Sequence, residues 1–114
     1  MATRIRRARS GDAVALTRIA HAAKRYWGYP ERLIRLWKSA LTVTPDFIGS
    51  EPVYCAVRER QIVGFYALSG SGATRELEHL WVDPDCIGSD VGARLFAHLV
   101  RRLRAMRVSR LTIA

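Results

Sequence analysis

The residues best equipped for chemistry lie between Glu76 and Phe96, in the run Glu-Leu-Glu-His-Leu-Trp-Val-Asp-Pro-Asp-Cys-Ile-Gly-Ser-Asp-Val-Gly-Ala-Arg-Leu-Phe. A strand ending at Pro84 delivers the chain through a polar loop, with Gly88 and Gly92, into the start of a helix. Unpaired amides and the positive end of the helix dipole make such a place a seat for phosphate or pyrophosphate. Glycine lets the backbone approach that ligand with no side chain between; the plainer reading is that these glycines only make a turn. Glu76 and Glu78 stand two positions apart, so on a strand both carboxylates and the Leu80 side chain share one side of the sheet, with His79 on the other. Carboxylates this close repel, and one is expected to keep its proton to higher pH. The alternative is that both are solvated strand residues facing cations such as Arg75 or Arg58.

The elements that hold this stretch are legible from periodicity. Thr3 to Arg9 fits a first strand with Ile5 inward. Ser10 fits an N-cap, with Asp12 in the first turn of a helix whose apolar face is Ala13, Leu16, Ile19, Ala20, Ala23 and Trp27. Gly28 can stop that helix, and Pro30 can open a second whose inward face is Leu33, Ile34, Trp37 and Leu41. A loop punctuated by Pro45 and Pro52 follows, with a helical turn around Phe47. The period then changes to two: strands are expected over 53–57, 62–68 and 74–82, joined by turns at Glu59-Arg60-Gln61 and Ser69-Gly70-Ser71-Gly72. Val91, Leu95, Leu99 and Leu103, with Phe96, Val100 and Met106 beside them, form the apolar stripe of a long helix, and Leu111-Thr112-Ile113 closes as a strand. The order β-α-α-β-β-β-α-β implies an α+β fold, a mixed but mostly antiparallel sheet flanked by helices, in which the crossover helix makes the last two strands parallel.

Composition narrows the function classes. At 114 residues, 49% of them hydrophobic, the chain is one domain with one substantial core. No apolar run approaches the roughly 18 residues of a membrane span, and no targeting segment is read. The formal charge of +9 rests on 17 arginines and 2 lysines spread along most of the chain. Without interleaved aromatics this pattern disfavours nucleic-acid binding by the Arg-rich helix face. Against that background Glu76, Glu78, Asp83, Asp85 and Asp90 form a local acidic reversal. Cys55 and Cys86 have no metal-ligand spacing, so no metal is expected; free thiols in a reducing cytoplasm are the preferred reading, with a single disulfide between them as the alternative.

Leu80-Trp81-Val82-Asp83-Pro84 followed by Gly88, Gly92 and Leu95-Phe96 resembles motif A of the Gcn5-related N-acetyltransferases (GNAT). The order of elements is similar over nearly the whole chain, as are Tyr26-Trp27-Gly28-Tyr29-Pro30 and Thr42-Val43-Thr44-Pro45. The resemblance implies acetyl-CoA as donor and a primary amine as acceptor. It implies that the backbone along Leu80, Trp81 and Val82 holds the pantetheine arm, with the Leu80 and Val82 main chain as its partners. Amides of Ile87, Gly88, Ser89, Asp90, Val91 and Gly92 would hold the pyrophosphate, with Ala93 and Arg94 opening the helix behind them. Glu78 or Glu76 would be the general base, and a strand N–H near Leu80 or Val82 would polarise the thioester oxygen.

Two departures from the family pattern matter. Ile87 stands where Arg or Gln is usual. Asp90 stands where Gly is usual, so its charge is expected to weaken pyrophosphate binding and its side chain to resist the loop geometry. The sequence also stops after its fifth strand, short of the elements that usually carry a leaving-group tyrosine; Tyr54 and Tyr66 match no such motif. Either a second subunit covers the last strand, by dimerisation or strand exchange, or the gene product is shortened. The expectation is therefore a cytoplasmic homodimer that transfers acetyl groups. The alternative is a catalytically impaired coenzyme A-binding or protein-interaction module.

Overall fold

The computed structural model describes residues 2–113. The chain runs β1 (Arg4–Arg7), α1 (Ala13–Tyr26), α2 (Glu31–Leu36), α3 (Lys38–Leu41), α4 (Pro45–Ser50), β2 (Val53–Arg58), β3 (Gln61–Ser71), β4 (Thr74–Val82), α5 (Val91–Ala105) and β5 (Arg110–Ile113). The sheet order is β1-β2-β3-β4-β5. Three antiparallel pairings precede one parallel pairing, β4 with β5, which is the pair that α5 connects. The expected α+β class and the mixed, mostly antiparallel sheet are observed.

Local differences from the expected elements have local causes. Four helices, not two, precede β2, because the chain breaks at Trp37 and a capped turn forms at Pro45. There Thr44 Oγ1 accepts from the Phe47 amide at 3.1 Å. Ser10 caps nothing: Ser10 to Asp12 form a 3-10 turn, and Asp12 accepts from the Arg9 amide at 2.8 Å while pairing with Arg6. Pro30 precedes α2 as an extended residue rather than opening it. The β2–β3 turn uses Glu59 and Arg60 at φ 47° and 68°, the left-handed pair that a two-residue hairpin with the right twist requires.

The sheet buries both faces. Cys55, Val57, Phe65 and Ala67 pack against Leu16, Ile19 and Ala20 of α1. On the other face Ala56, Tyr66 and Leu68 pack against Val91, Leu95 and Leu99 of α5. Burying each large side chain stabilises by about 1.5–3 kcal/mol, so these contacts dominate the docking of both helices. Phe96, expected beside the apolar stripe, is 57% exposed, because three buried positions already fill the space above β3. Gly64 of β3 sits directly beneath them, where a side chain does not fit.

One irregularity in β4 decides how the site faces. Ala67 pairs with His79 but Leu68 pairs with Leu77, leaving Glu78 as an extra residue without a partner, a β-bulge. Alternation breaks there. Leu77 and Leu80, three residues apart, both pack on the α5 side with Val82, while Trp81 packs on the α1 side. His79 meets Phe47 edge to face and lies tilted against Phe65 on that α1 side. The expected facing is therefore corrected: Glu76 and Glu78 do share a side, but His79 joins them and Leu80 leaves them.

Candidate functional site

Among the described residues β5 pairs with Thr74 to Leu77 of β4, and nothing is bonded to that edge of β4 beyond them. The Asp83 amide donates to Val63 of β3 at 2.8 Å, so by strand alternation the main-chain groups of Trp81 also face β3 and those of Leu80 and Val82 face outward. These outward groups open on a cleft of about 330 Å³, lined by Leu80, Trp81, Val82, Ile87, Gly88, Ser89 and Gly92 with Ala23, Trp27 and Cys86.

The cleft ends at the loop before α5. The 3-10 turn Pro84–Cys86 is set by Asp83, whose carboxylate accepts from the Asp85 amide at 3.0 Å. The Ile87 amide is tied to Pro84 and the Ser89 amide to Cys86. Among the described residues the amides of Gly88, Asp90, Gly92 and Ala93 have no acceptor, and that of Val91 reaches only the Ser89 hydroxyl at 3.4 Å. Gly88 takes φ 87°, a conformation that glycine alone adopts without strain. Four amides without acceptors thus lie at the positive end of a 15-residue helix, an arrangement that favours negative charge beside it. Of the twelve sequence-derived positions, Asp90 and Ala93 thus contribute only amides. Val91 has its side chain in the core beneath α5.

Asp90 behaves differently from expectation in both respects. Its backbone lies at φ −84° and ψ 0°, open to any residue, so the loop does not need glycine here. Its carboxylate accepts from Thr3 Oγ1 at 3.0 Å, from Arg94 Nε at 2.8 Å and from Arg58. The bonds from Arg94 and Thr3, then Arg58, pull its pKa down to about 2. Two guanidiniums compensate the one negative charge, which removes most of the expected repulsion of a bound anion.

The carboxylates lie further along the same strand. Ser69 Oγ donates to Glu78 Oε1 at 2.7 Å. Hydrogen bonding and repulsion from Glu78 push the Glu76 carboxyl upward. Neither carboxylate has a cationic partner within 4 Å among the described residues; Arg58 is engaged at Asp90 instead. His79 is buried, its Nδ1 accepts from the Trp81 indole at 3.0 Å, and burial lowers its pKa, so it stays neutral and positions Trp81. Among the described residues no group of three or more His, Cys, Asp or Glu converges as metal ligands do. Among those residues no helix is long and apolar enough to cross a membrane.

The acetyltransferase (GNAT) family model matches residues 14–114. The chain belongs to the GNAT family. Solved structures agree with that membership. The PaiA N-acetyltransferase of Thermoplasma acidophilum, solved with coenzyme A, superposes with a TM-score of 0.79 at 19% identity, over 92% of this chain and 74% of that one. A GNAT acetyltransferase of Brucella melitensis, solved with acetyl-CoA, gives 0.71 at 20% identity, over 98% and 75%. The apo form of Escherichia coli YjaB gives 0.65 at 28% identity, over 91% and 68%. A search of curated proteins finds no significant match.

Within this GNAT fold, three cleft residues escaped the sequence reading. Ala23 and Trp27 come from the last turns of α1, where their spacing signalled only a buried face, yet Trp27 is 68% exposed. Cys86 was weighed only as a thiol. No local signal identifies such residues, because their place in the cleft depends on how α1 crosses β4.

Proposed function

We propose that this chain transfers the acetyl group of acetyl-CoA to an amine. The observation that carries the reading is the continuity of the cleft: one cavity joins Leu80 and Val82, whose main-chain groups face outward, to Gly88 and Gly92, whose amides are free. An extended amide-bearing arm can bond the strand edge, while a pyrophosphate takes the helix terminus. The family membership and the coenzyme A complexes of similar folds support the same ligand.

In this reading Glu78 takes a proton from the acceptor ammonium, directly or through water. The amine nitrogen then attacks the thioester carbonyl, the carbon–sulfur bond breaks as the carbonyl re-forms, and the leaving thiolate takes up the second proton that the nitrogen sheds in becoming an amide. A Leu80 or Val82 amide polarises the carbonyl oxygen as charge develops on it. The Ser69 hydroxyl, donating to Glu78, keeps that carboxylate in place.

Thermal unfolding with added acetyl-CoA tests the binding half. A ligand that binds only the native state raises Tm in proportion to the logarithm of its concentration over Kd. A rise is expected with acetyl-CoA and with coenzyme A; no response at millimolar acetyl-CoA refutes the reading and favours a protein-interaction module. Asp90→Gly is expected to change acetyl-CoA affinity by less than about tenfold, since it removes one carboxylate but releases two guanidiniums that already compensate it. A gain of a hundredfold would show that the carboxylate repels the ligand after all.

A homodimer in the cytoplasm completes the proposal. β5 stands at the end of the sheet order, and Ile113 is 77% exposed on it, which suits a second copy against that edge. Free Cys55 and Cys86 suit a reducing compartment. Sedimentation at micromolar concentration is expected to give twice the monomer mass; a monomer at all concentrations refutes the dimer.

A further inference from the structure

Three aromatic rings close on one ammonium group beside the cleft. Lys24 Nζ lies 4.5 Å from the ring centre of Tyr29, 4.9 Å from that of Trp37 and 5.3 Å from that of Trp81. All three fall inside the roughly 6 Å over which a ring face attracts a cation. Gly28, at φ 85°, turns the chain after α1 so that Tyr29 comes back over Lys24. The Arg25–Glu31 ion pair pins that turn to α2. Tyr29 and Trp37 meet edge to face at 5.3 Å. Among the described residues Lys24 has no carboxylate within 4 Å, so its charge is held by the rings alone.

Two features make this more than packing. Tyr29 is 42% exposed, so the cage reaches solvent. Trp81 belongs both to the cage and to the wall of the cleft, so a group held by the rings lies next to whatever occupies that cleft.

We propose that Tyr29, Trp37 and Trp81 form a recognition site for an alkylammonium group of the acceptor, with Lys24 seated in it as a displaceable internal occupant. The site's part in acetyl transfer rests on the reading given above; the ligand class rests on the rings. A lysine side chain on a flexible stem can swing out to water, giving up the same attraction that the incoming cation gains. The rings thereby select charge: a neutral molecule of equal shape gains nothing to offset the displacement of Lys24.

The test uses choline and its uncharged isostere 3,3-dimethylbutan-1-ol, without any thioester, and reads the indole N–H signals of the chain's 3 tryptophans. With Lys24→Ala, choline is expected to bind about tenfold or more tighter than to the wild type, the effect of removing a competing cation–π occupant. Trp37 and Trp81 shift, and Trp27, packed on Tyr26, shifts less. In the wild type, which needs no variant to fold, choline at high millimolar concentration shifts the same two signals and the alcohol does not. Equal responses to choline and the alcohol, or no gain in Lys24→Ala, overturn the proposal. An acetyl-CoA thermal shift without choline binding defeats this inference alone; choline binding without that shift defeats only the transfer reading.

Discussion

Glu78→Gln is expected to lower kcat by about 100-fold or more while leaving acetyl-CoA affinity within a factor of two or so, the range typical for loss of a general base. The amide keeps the shape and can still accept from Ser69, so strand and cleft stay intact. What it cannot do is take the ammonium proton. Glu76→Gln is expected to act differently. The carboxyl it replaces is the one pushed upward by its neighbour and takes no proton from the substrate, so kcat is expected to fall far less than in Glu78→Gln, with that raised ionisation gone from the acidic limb of the pH–rate profile. The pair titrates as a unit, so the profile reports the pair and not one residue. Steady-state kinetics of both variants across pH decides the matter. Equal, pH-independent losses would mean that neither carboxylate is the base.

The second large effect is on stability and needs no assumption about activity. A Cβ added at Gly64 would lie 2.9 Å from Leu95 Cδ1, 3.0 Å from the Trp81 carbonyl oxygen and 3.2 Å from Val91 Cγ1. The carbonyl is backbone in the adjacent strand and cannot swing aside. Val91 and Leu95 are buried at the start of α5, so relief requires the helix to move away from the sheet. Gly64→Ala is expected to cost about 1–3 kcal/mol, as overpacking does, with Tm falling about 4–8 °C per kcal/mol for a domain this size. Because α5 begins just after the free amides, acetyl-CoA binding is expected to weaken with it. Gly49→Ala is the control: nothing lies within 4 Å of its added Cβ in α4, so stability is expected to hold or rise slightly. Matching losses in the two variants, measured by calorimetry, would refute the packing account.

Much of the site's address was legible in one dimension. The alternation from Thr74 to Val82, the proline stop at Pro84 and the glycines before the apolar stripe of α5 are local signals. They mark a strand, a polar loop and a helix start wherever the chain later places them. The two glutamates could be paired from spacing alone, since an even separation survives one inserted residue only when the bulge falls beyond both or takes one of them as the extra residue. Here Glu78 is that extra residue, and the pair stays together while Leu80 and His79 exchange sides. Nothing local announces a bulge, because it arises from fitting β4 to β3 while β4 also pairs with β5.

Asp90 makes the same point with electrostatics. Read along the chain it is a lone carboxylate beside an anion seat. In the fold, Thr3, just before β1, and Arg58, at the end of β2, converge on it, and its charge is spent on tying the start of α5 to those two segments. Lys24 is similar: one basic residue in a helix's last turn becomes the occupant of a ring cage only because α2 brings Trp37 and β4 brings Trp81 to it. Periodicity, turn residues and the glycine-bearing loop determined the elements, their order and the family, because these depend on neighbours a few residues apart. Facing, charge compensation and the walls of the cleft were decided by tertiary contacts between segments far apart in sequence, whose distances no local pattern encodes.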